Sequence, residues 1–430
     1  MTPSVHRARF SSVRGARRLL LAVTSVALLV AFSVSSGAQT SSPQAAPAAP
    51  APTEQWVDAW GASFLPTTVN GVLQSVPTFN NQTYRLNVYS KLGGTQVRVK
   101  FSNKFATNPL TIGAAHVALR STNNSIQPAS DRTLTFAGLP GITLAAGAET
   151  WSDPVTLTIP QHVTVAVSVY VPGNFKPTTF HPTGLHTSYI SRAGNYTANA
   201  TLPLASWTNT TTEVVMVSGL QVWAPSASKI AVTIGDSITD GACATNNANG
   251  TWPDVLSARL PVLASGSPFG VINMGIGSNR LASADAAGPS GIHRFADDVL
   301  ARPDVGYVIV MEGINDISYE HSSATAITDA YASLITQAHA AGLKIYGATL
   351  LPIGNSTKYT TANEATRQAV NAWIRTPGNF DAVLDFESVV LDPSITTTPR
   401  IQRSLTCDYV HPNAAGYAAL GNSIALSLFG

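Results

Sequence analysis

The chain has 430 residues, of which 44% are hydrophobic and only 11% charged, and this length suits two globular domains with sizeable cores. Its formal charge of +2 originates in the first 38 residues, which hold five arginines and no acid; the remainder has 20 basic against 23 acidic residues. A nucleic-acid partner, which would favour a basic face, is therefore not expected.

The N-terminal segment, residues 1–38, has the pattern of a signal peptide. Arginines at its start precede an apolar run from Leu19 to Val34, and Ser36-Gly37-Ala38 offers small residues for cleavage. The run is short for a membrane-spanning helix, which needs about 20 residues. We expect cleavage after Ala38, a secreted or periplasmic location and no stable membrane anchor, with an uncleaved anchor as the alternative.

Residues 39–53 are rich in Ala, Pro and Ser, a composition typical of an extended linker. The next segment, 54–225, is patterned like β-strands. Apolar and polar residues alternate most clearly at 163–170, and similar runs occur at 84–89, 97–101 and 213–223. Gly, Pro and Asn separate the runs, and long helical periodicity is absent. The pattern predicts an all-β sandwich domain of jelly-roll type.

Beyond Pro225, in residues 226–430, short apolar runs alternate with helical periodicity. Strands are predicted at 230–234, 271–273, 307–311, 344–349 and 382–385, and helices at 252–260, 292–300, 324–341, 363–375 and 414–428. This alternation predicts a parallel sheet covered on both faces, a flavodoxin-like three-layer α/β/α sandwich. Active sites of such sheets lie beyond the carboxyl ends of the strands, where Ser237 and Asn315 are expected.

Two short motifs in this second half point to nucleophilic chemistry. Ser237 follows an apolar strand within Gly235-Asp236-Ser237, and Asp408 precedes His411 by three residues. A histidine can deprotonate the serine hydroxyl, and a carboxylate can orient that histidine. Structural alternatives exist: Ser237 could cap a helix, Asn315 could sit in a strand-end turn, and His411 could be an ordinary loop residue. Together the motifs predict a serine hydrolase.

Residues 230–430 resemble the SGNH (GDSL) hydrolases, which are named for a Ser, a Gly, an Asn and a His in four sequence blocks. The matching segments are Gly235-Asp236-Ser237, Gly313-Ile314-Asn315-Asp316 and Asp408-Tyr409-Val410-His411-Pro412. The resemblance implies that Ser237 is the nucleophile, that His411 and Asp408 complete the triad, and that Asn315 donates to the oxyanion. It also implies a reaction without a metal or an organic cofactor.

The second block, Asn273 to Arg280, departs from the family pattern. Ser278 occupies the position where the family usually has a glycine whose N–H contributes to the oxyanion hole. A serine retains that N–H, so the hole survives if the backbone geometry is kept. Gly277, one residue earlier, is the alternative donor.

The chain contains two cysteines, Cys243 and Cys407. Cys243 follows the nucleophile by six residues, and Cys407 directly precedes Asp408. If both loops meet at one catalytic site in an oxidising compartment, a disulfide between them is expected. Two unpaired buried thiols are the alternative, and two cysteines alone make no zinc site.

The front half is similar to that of exported bacterial two-domain members of the family, grouped with acyl-esterases and xylan-degradation enzymes. The similarity rests on Asp58-Ala59-Trp60, on residues 109–113 and on Asp131-Arg132. It implies a serine esterase that acts on acetyl or short acyl esters of a polysaccharide or a small molecule. The alternatives are a lipase or arylesterase for short acyl chains, and a glycan-binding protein with a degenerate hydrolase domain.

Overall fold

A computed structural model describes residues 53–69, 71–206, 209–283, 287–395 and 397–430. The expected signal peptide, 1–38, and the linker up to residue 52 lie outside these residues. None of the described helices combines the length and the hydrophobicity that crossing a bilayer requires.

The N-terminal half, up to Pro225, is built from antiparallel strands and is called the β part. Its strands are β1 Glu54–Gly61, β2 Leu65–Pro66, β3 Thr68–Val69, β4 Val72–Leu73, β5 Phe79–Ser90, β6 Gly94–Ser102, β7 Leu110–Ile112, β8 Ala114–Leu119, β9 Arg132–Leu134, β10 Ile142–Leu144, β11 Glu149–Trp151, β12 Val155–Ile159, β13 Val163–Phe175, β14 Thr179–His181, β15 Ser188–Ala193, β16 Thr210–Thr211, β17 Val214–Val215 and β18 Val217–Pro225. A 3-10 turn spans Pro128–Ser130.

Two larger sheets organise the β part. One has the order β1-β18-β6-β11 with β12 also paired to β6, and the other has the order β16-β15-β5-β13-β8-β9. A three-stranded sheet, β17-β14-β2, and the pairs β10-β7 and β3-β4 complete it. Alternate valines of β6 and β13, such as Val97, Val99, Val165 and Val167, are fully buried in one common hydrophobic core. Period-two alternation therefore identified core-facing positions in both sheets.

One predicted strand differs from the structure. The run at 213–223 forms two strands, β17 and β18, which belong to different sheets and are separated by Met216. Met216 has a φ of +64°, in the left-handed region that strands do not use. The reversal of φ ends one ladder and allows the chain to enter the next sheet.

The C-terminal half, called the α/β part, alternates strands and helices. Its strands are β19 Lys229–Gly235, β20 Phe269–Gly275, β21 Val305–Met311, β22 Lys344–Ala348 and β23 Ala382–Leu384. Its helices are α1 Ser237–Asp240, α2 Trp252–Arg259, α3 Gly291–Phe295, α4 Ile314–Tyr319, α5 Ala324–Ala340, α6 Thr361–Arg375, α7 Phe386–Val390 and α8 Ala414–Ser423. A π-helical turn, Ala296–Leu300, extends α3, and 3-10 turns span Arg403–Leu405 and Leu426–Phe429.

The sheet of the α/β part has the order β20-β19-β21-β22-β23, and each neighbouring pair is parallel. Both of its faces are buried. Ile230 and Val232 of β19 share a core with α5 and α6, whereas Ala231 packs in a second core with α2 and α8. The first of these cores is continuous with the core of the β part, so the two parts bury apolar surface together.

Candidate active site

The turn after β19 places Ser237 at the carboxyl end of the sheet. The strand ends at Gly235, Ser237 is the first residue of α1, and Asp236 caps this helix by accepting a hydrogen bond from the Ile238 N–H at 2.9 Å. Asp236 therefore performs the capping role that was the alternative for Ser237, and the Ser237 hydroxyl is left for another partner. A Cβ on Gly235 would collide with the Met311 carbonyl, so only glycine fits there.

Ser237, His411 and Asp408 lie in a line of hydrogen bonds. Ser237 Oγ is 2.9 Å from His411 Nε2, and His411 Nδ1 is 2.7 Å from Asp408 Oδ2. Asp408 Oδ1 also accepts hydrogen bonds from the backbone N–H groups of Val410 and His411. Partial burial acts to raise the pKa of Asp408, but these hydrogen bonds outweigh it and lower the pKa. The carboxylate thus stays ionised and orients the imidazole toward the hydroxyl.

The same three residues line a pocket of about 400 Å³ together with Ser278 and Asn315. Asn315, at the start of α4, donates one amide hydrogen to the Asn279 carbonyl at 2.9 Å, which leaves its second N–H for a ligand. Within the described part of the chain, the backbone N–H groups of Ser237 and Ser278 make no hydrogen bond. Three donors at one pocket could stabilise a developing oxyanion.

Gly277, expected as an alternative donor, does not serve that purpose in this arrangement. Its N–H donates to Asp240 Oδ2 at 3.0 Å, so it is engaged within the fold. Asp240 ends α1, and the hydrogen bond therefore fastens the loop after β20 to α1. The expectation for Gly277 is corrected on this ground: its N–H holds the loop.

Ser278 occupies a backbone conformation that glycine adopts at lower cost. Its φ is +63°, which is left-handed, and such a conformation costs a non-glycine residue about 1–2 kcal/mol. The Ser278 carbonyl accepts a hydrogen bond from Arg280 Nη1 at 3.0 Å, which helps to hold the turn. The departure from the family pattern is thus accommodated by strain, with the N–H retained.

Ser278→Gly is expected to stabilise the protein by about 0.5–1 kcal/mol, because relief of strain exceeds the added entropy of the unfolded chain. Catalytic rate should change less than about threefold, because the proposed donor is a backbone group. Urea unfolding and steady-state kinetics measure the two effects, and Ser278→Ala, which keeps Cβ, is the control. A large loss of kcat in both variants would instead assign a role to the Ser278 hydroxyl.

A disulfide joins Cys243 and Cys407, as expected. Cys243 follows α1, and Cys407 precedes Asp408, so the bond ties the loop after α1 to the loop that carries Asp408 and His411. The two residues are 164 positions apart in the chain. A crosslink over so long a segment restricts the unfolded state substantially.

The double variant Cys243→Ser/Cys407→Ser is expected to lose about 2–4 kcal/mol of unfolding free energy, because its unfolded chain is no longer crosslinked. Urea unfolding of oxidised wild type, reduced wild type and the variant measures this. Reduced wild type should match the variant, and identical midpoints for all three proteins would contradict the expectation.

Three further side chains contact the residues that support the site, and they were not predicted from the sequence. Arg294, on α3 and 3% exposed, donates to the Gly235 carbonyl at 3.0 Å and to Asn279 Oδ1 at 2.9 Å. The Asp316 carboxylate accepts hydrogen bonds from the N–H groups of residues 281–283, the segment that follows the turn containing Ser278. His181, from the β part, lies 3.1 Å from Asp240.

The sequence held a signal for only one of the three. Asp316 is part of the block that contains Asn315, so its position could have been examined for a supporting role. Arg294 lies in a predicted helix, and nothing in the sequence marks its charge as buried. His181 is remote in the chain from every motif, and only the fold brings it to the site.

Residues 233–419 match the GDSL-like lipase/acylhydrolase family. A search of curated proteins finds no match. Among solved structures, an aryl esterase from M. smegmatis is 18% identical with a TM-score of 0.38, covering 46% of this chain and 98% of its own. A carbohydrate acetylesterase from Sinorhizobium meliloti is 16% identical with a TM-score of 0.37, covering 46% of this chain and 98% of its own. The α/β part of this chain thus carries a segment that matches the GDSL-like lipase/acylhydrolases, and the protein is an ester hydrolase.

Proposed function

We propose that the protein is an exported serine esterase that removes acetyl or other short acyl groups from carbohydrate, with Ser237, His411 and Asp408 as its catalytic triad. The observation that carries the proposal is the continuous line of hydrogen bonds from Ser237 Oγ through the imidazole to the Asp408 carboxylate. A serine hydroxyl in that arrangement is activated as a nucleophile.

The proposed reaction has two halves. His411 Nε2 takes the Ser237 proton as Oγ bonds to the ester carbonyl carbon, and the carbonyl oxygen becomes an oxyanion facing the N–H groups of Ser237, Ser278 and Asn315. The imidazolium, stabilised by Asp408, then gives its proton to the departing alcohol oxygen, leaving an acyl-serine. Water, deprotonated by His411, attacks the acyl-serine, and collapse returns the proton to Ser237 with release of the acid.

The pocket lining supports a short acyl group on a polar alcohol. Small and branched apolar side chains, among them Ala242, Ile353 and Val410, line it together with Tyr319 and Lys358. Tyr319 is 47% exposed and is the one large exposed apolar residue that lines this pocket within the described residues. A long acyl chain would need a more extended apolar surface, so the lipase alternative has less support.

Export is proposed on two grounds. The signal-like pattern of residues 1–38 is one, with five arginines, an apolar run and a small-residue cleavage site. The disulfide between Cys243 and Cys407 is the other, because such bonds persist in oxidising compartments. A mature protein that begins at Gln39 in the culture fluid or periplasm, identified by N-terminal sequencing, would support export. Recovery of the intact chain from the cytoplasm alone would contradict it.

The substrate class can be tested with two matched series of esters. Acetate release from acetylated xylan is measured first, and 4-nitrophenyl esters from acetate to octanoate are then compared. We expect acetate release from the polysaccharide, with kcat/KM highest for acetate and falling as the chain lengthens. A preference for octanoate would favour the lipase alternative. Binding of xylan without hydrolysis of any ester would favour a glycan-binding protein.

A further inference from the structure

His181 of the β part makes two polar contacts that bear on its charge. It ends β14 and is 6% exposed. Nδ1 lies 3.0 Å from the Ser63 carbonyl, and Nε2 lies 3.1 Å from Asp240 Oδ1. A carbonyl and an ionised carboxylate can only accept hydrogen bonds, and this environment favours the imidazolium, which carries a hydrogen on both ring nitrogens. Burial acts to lower the pKa of His181, but the Asp240 charge and these hydrogen bonds outweigh it and raise the pKa.

Asp240 transmits this contact to the loop that contains Ser278. Its Oδ1 faces His181, and its Oδ2 accepts the Gly277 N–H at 3.0 Å. The end of β20 packs tightly against α1: a Cβ on Gly275 would collide with the backbone N of Asp240. The imidazolium, the carboxylate and the loop before Ser278 therefore form one connected unit.

His181 is the counter-charge of Asp240 within the described residues. The Asp240 side chain is 3% exposed, and no other cation there lies within ion-pair distance of it. Lys91 lines one cavity with His181 and Asp240, but it is paired with Asp254. A buried carboxylate without its partner takes up a proton or turns toward water, and either change weakens its hold on Gly277.

From these contacts we infer that His181 is a positioning residue for the oxyanion turn, by which we mean Gly277 and Ser278. His181 holds Asp240, Asp240 holds the Gly277 N–H, and this keeps the Ser278 N–H in position. The inference rests on the proposed function, since it requires Ser278 to face an oxyanion. On this inference the β part contributes to catalysis, because His181 supplies the charge that keeps the turn in place. Catalytic donors must be held within about 0.5 Å of their productive position, so loosening this turn should reduce rate.

The test compares His181→Ala with the double variant His181→Ala/Asp240→Asn on 4-nitrophenyl acetate. Active sites are counted by titration with a 4-nitrophenyl phosphonate that labels the nucleophilic serine, so that misfolded protein does not enter kcat. Loss of an oxyanion donor reduces kcat by about 10²–10³-fold, and displacement of one by His181→Ala should reduce it by about 10–100-fold with little change in KM. The double variant should recover most of this loss, because the asparagine side chain is uncharged and its amide oxygen still accepts from the Gly277 N–H.

His116→Ala is the matched control. His116 also pairs with a carboxylate in the β part, with Nδ1 3.0 Å from Asp131 Oδ2, but its partners lie in the β part alone. Its kcat per active site should equal that of wild type. An unchanged kcat per active site in His181→Ala, or a double variant no faster than the single one, would overturn the inference. A wild type that hydrolyses no ester, or hydrolyses it no faster than Ser237→Ala does, would instead remove the proposed function.

Discussion

Ser237→Ala is expected to lower kcat on 4-nitrophenyl acetate by about 10⁴-fold or more, with the fold unchanged. In the proposed mechanism the side chain supplies the atom that bonds to the acyl carbon, and neither His411 nor the proposed oxyanion donors can replace it. Residual activity over water would come from the donors and from binding alone. The measurement is steady-state hydrolysis at saturating ester, accompanied by thermal unfolding.

Ser388→Ala is the control for this variant. Ser388 is an exposed serine on α7 whose hydroxyl donates to the Asp385 carbonyl, and it does not line the catalytic pocket. We expect its kinetics to equal those of wild type. If Ser237→Ala retained the wild-type rate, another residue would have to be the nucleophile, and the proposed triad would be wrong.

Much of the proposed site could be predicted because its parts lie at the ends of regular strands. Ser237 follows β19 and Asn315 follows β21, two neighbouring parallel strands whose carboxyl ends share one edge. Asp408 and His411 were found by their three-residue spacing, which local geometry places in one loop. The order of strands and the chemistry of Ser237, Asp408 and His411 predicted these parts, whereas the role of Asn315 was implied by the resemblance to the SGNH hydrolases.

The supporting contacts could not be predicted, because they depend on distances between remote segments. Nothing in the sequence relates His181 to Asp240, which are brought together when the β part packs on α1. The assignment of Gly277 as an alternative donor was wrong for the same reason. Its N–H is taken by Asp240, and only the fold shows that the carboxylate lies there.

Short helices also could not be predicted from the sequence. The helices α1, α4 and α7 have four, six and five residues, too few to show a helical period. They form because caps and tertiary packing stabilise them: Asp236 caps α1 and Asp385 caps α7. The longer helices α5 and α6, with clear periodicity, were predicted within two residues of their ends.

Arg294→Met is expected to destabilise the protein by about 3–5 kcal/mol, the cost of removing one member of a buried charged network. Arg294 lies 2.9 Å from Asp298 and 3.1 Å from Glu312, and it also donates to the Gly235 and Met274 carbonyls. Burial raises the pKa of Glu312 to about 8 even beside Arg294, so Glu312 can be neutralised by a proton. Asp298 and the two carbonyls would each lose one donor, although the Ser63 hydroxyl and the Ile276 N–H would still donate to members of this group.

Arg192→Met and Arg294→Lys make this test specific. Arg192 is exposed, and its loss should change unfolding free energy by less than about 0.5 kcal/mol. Arg294→Lys retains the charge but cannot reach all of these acceptors at once, so its stability should lie between wild type and Arg294→Met. Urea unfolding of the three variants measures the order. Equal stability of Arg294→Met and wild type would show that the carbonyls of Gly235 and Met274 find other donors. The guanidinium would then not be what joins β19 to β20.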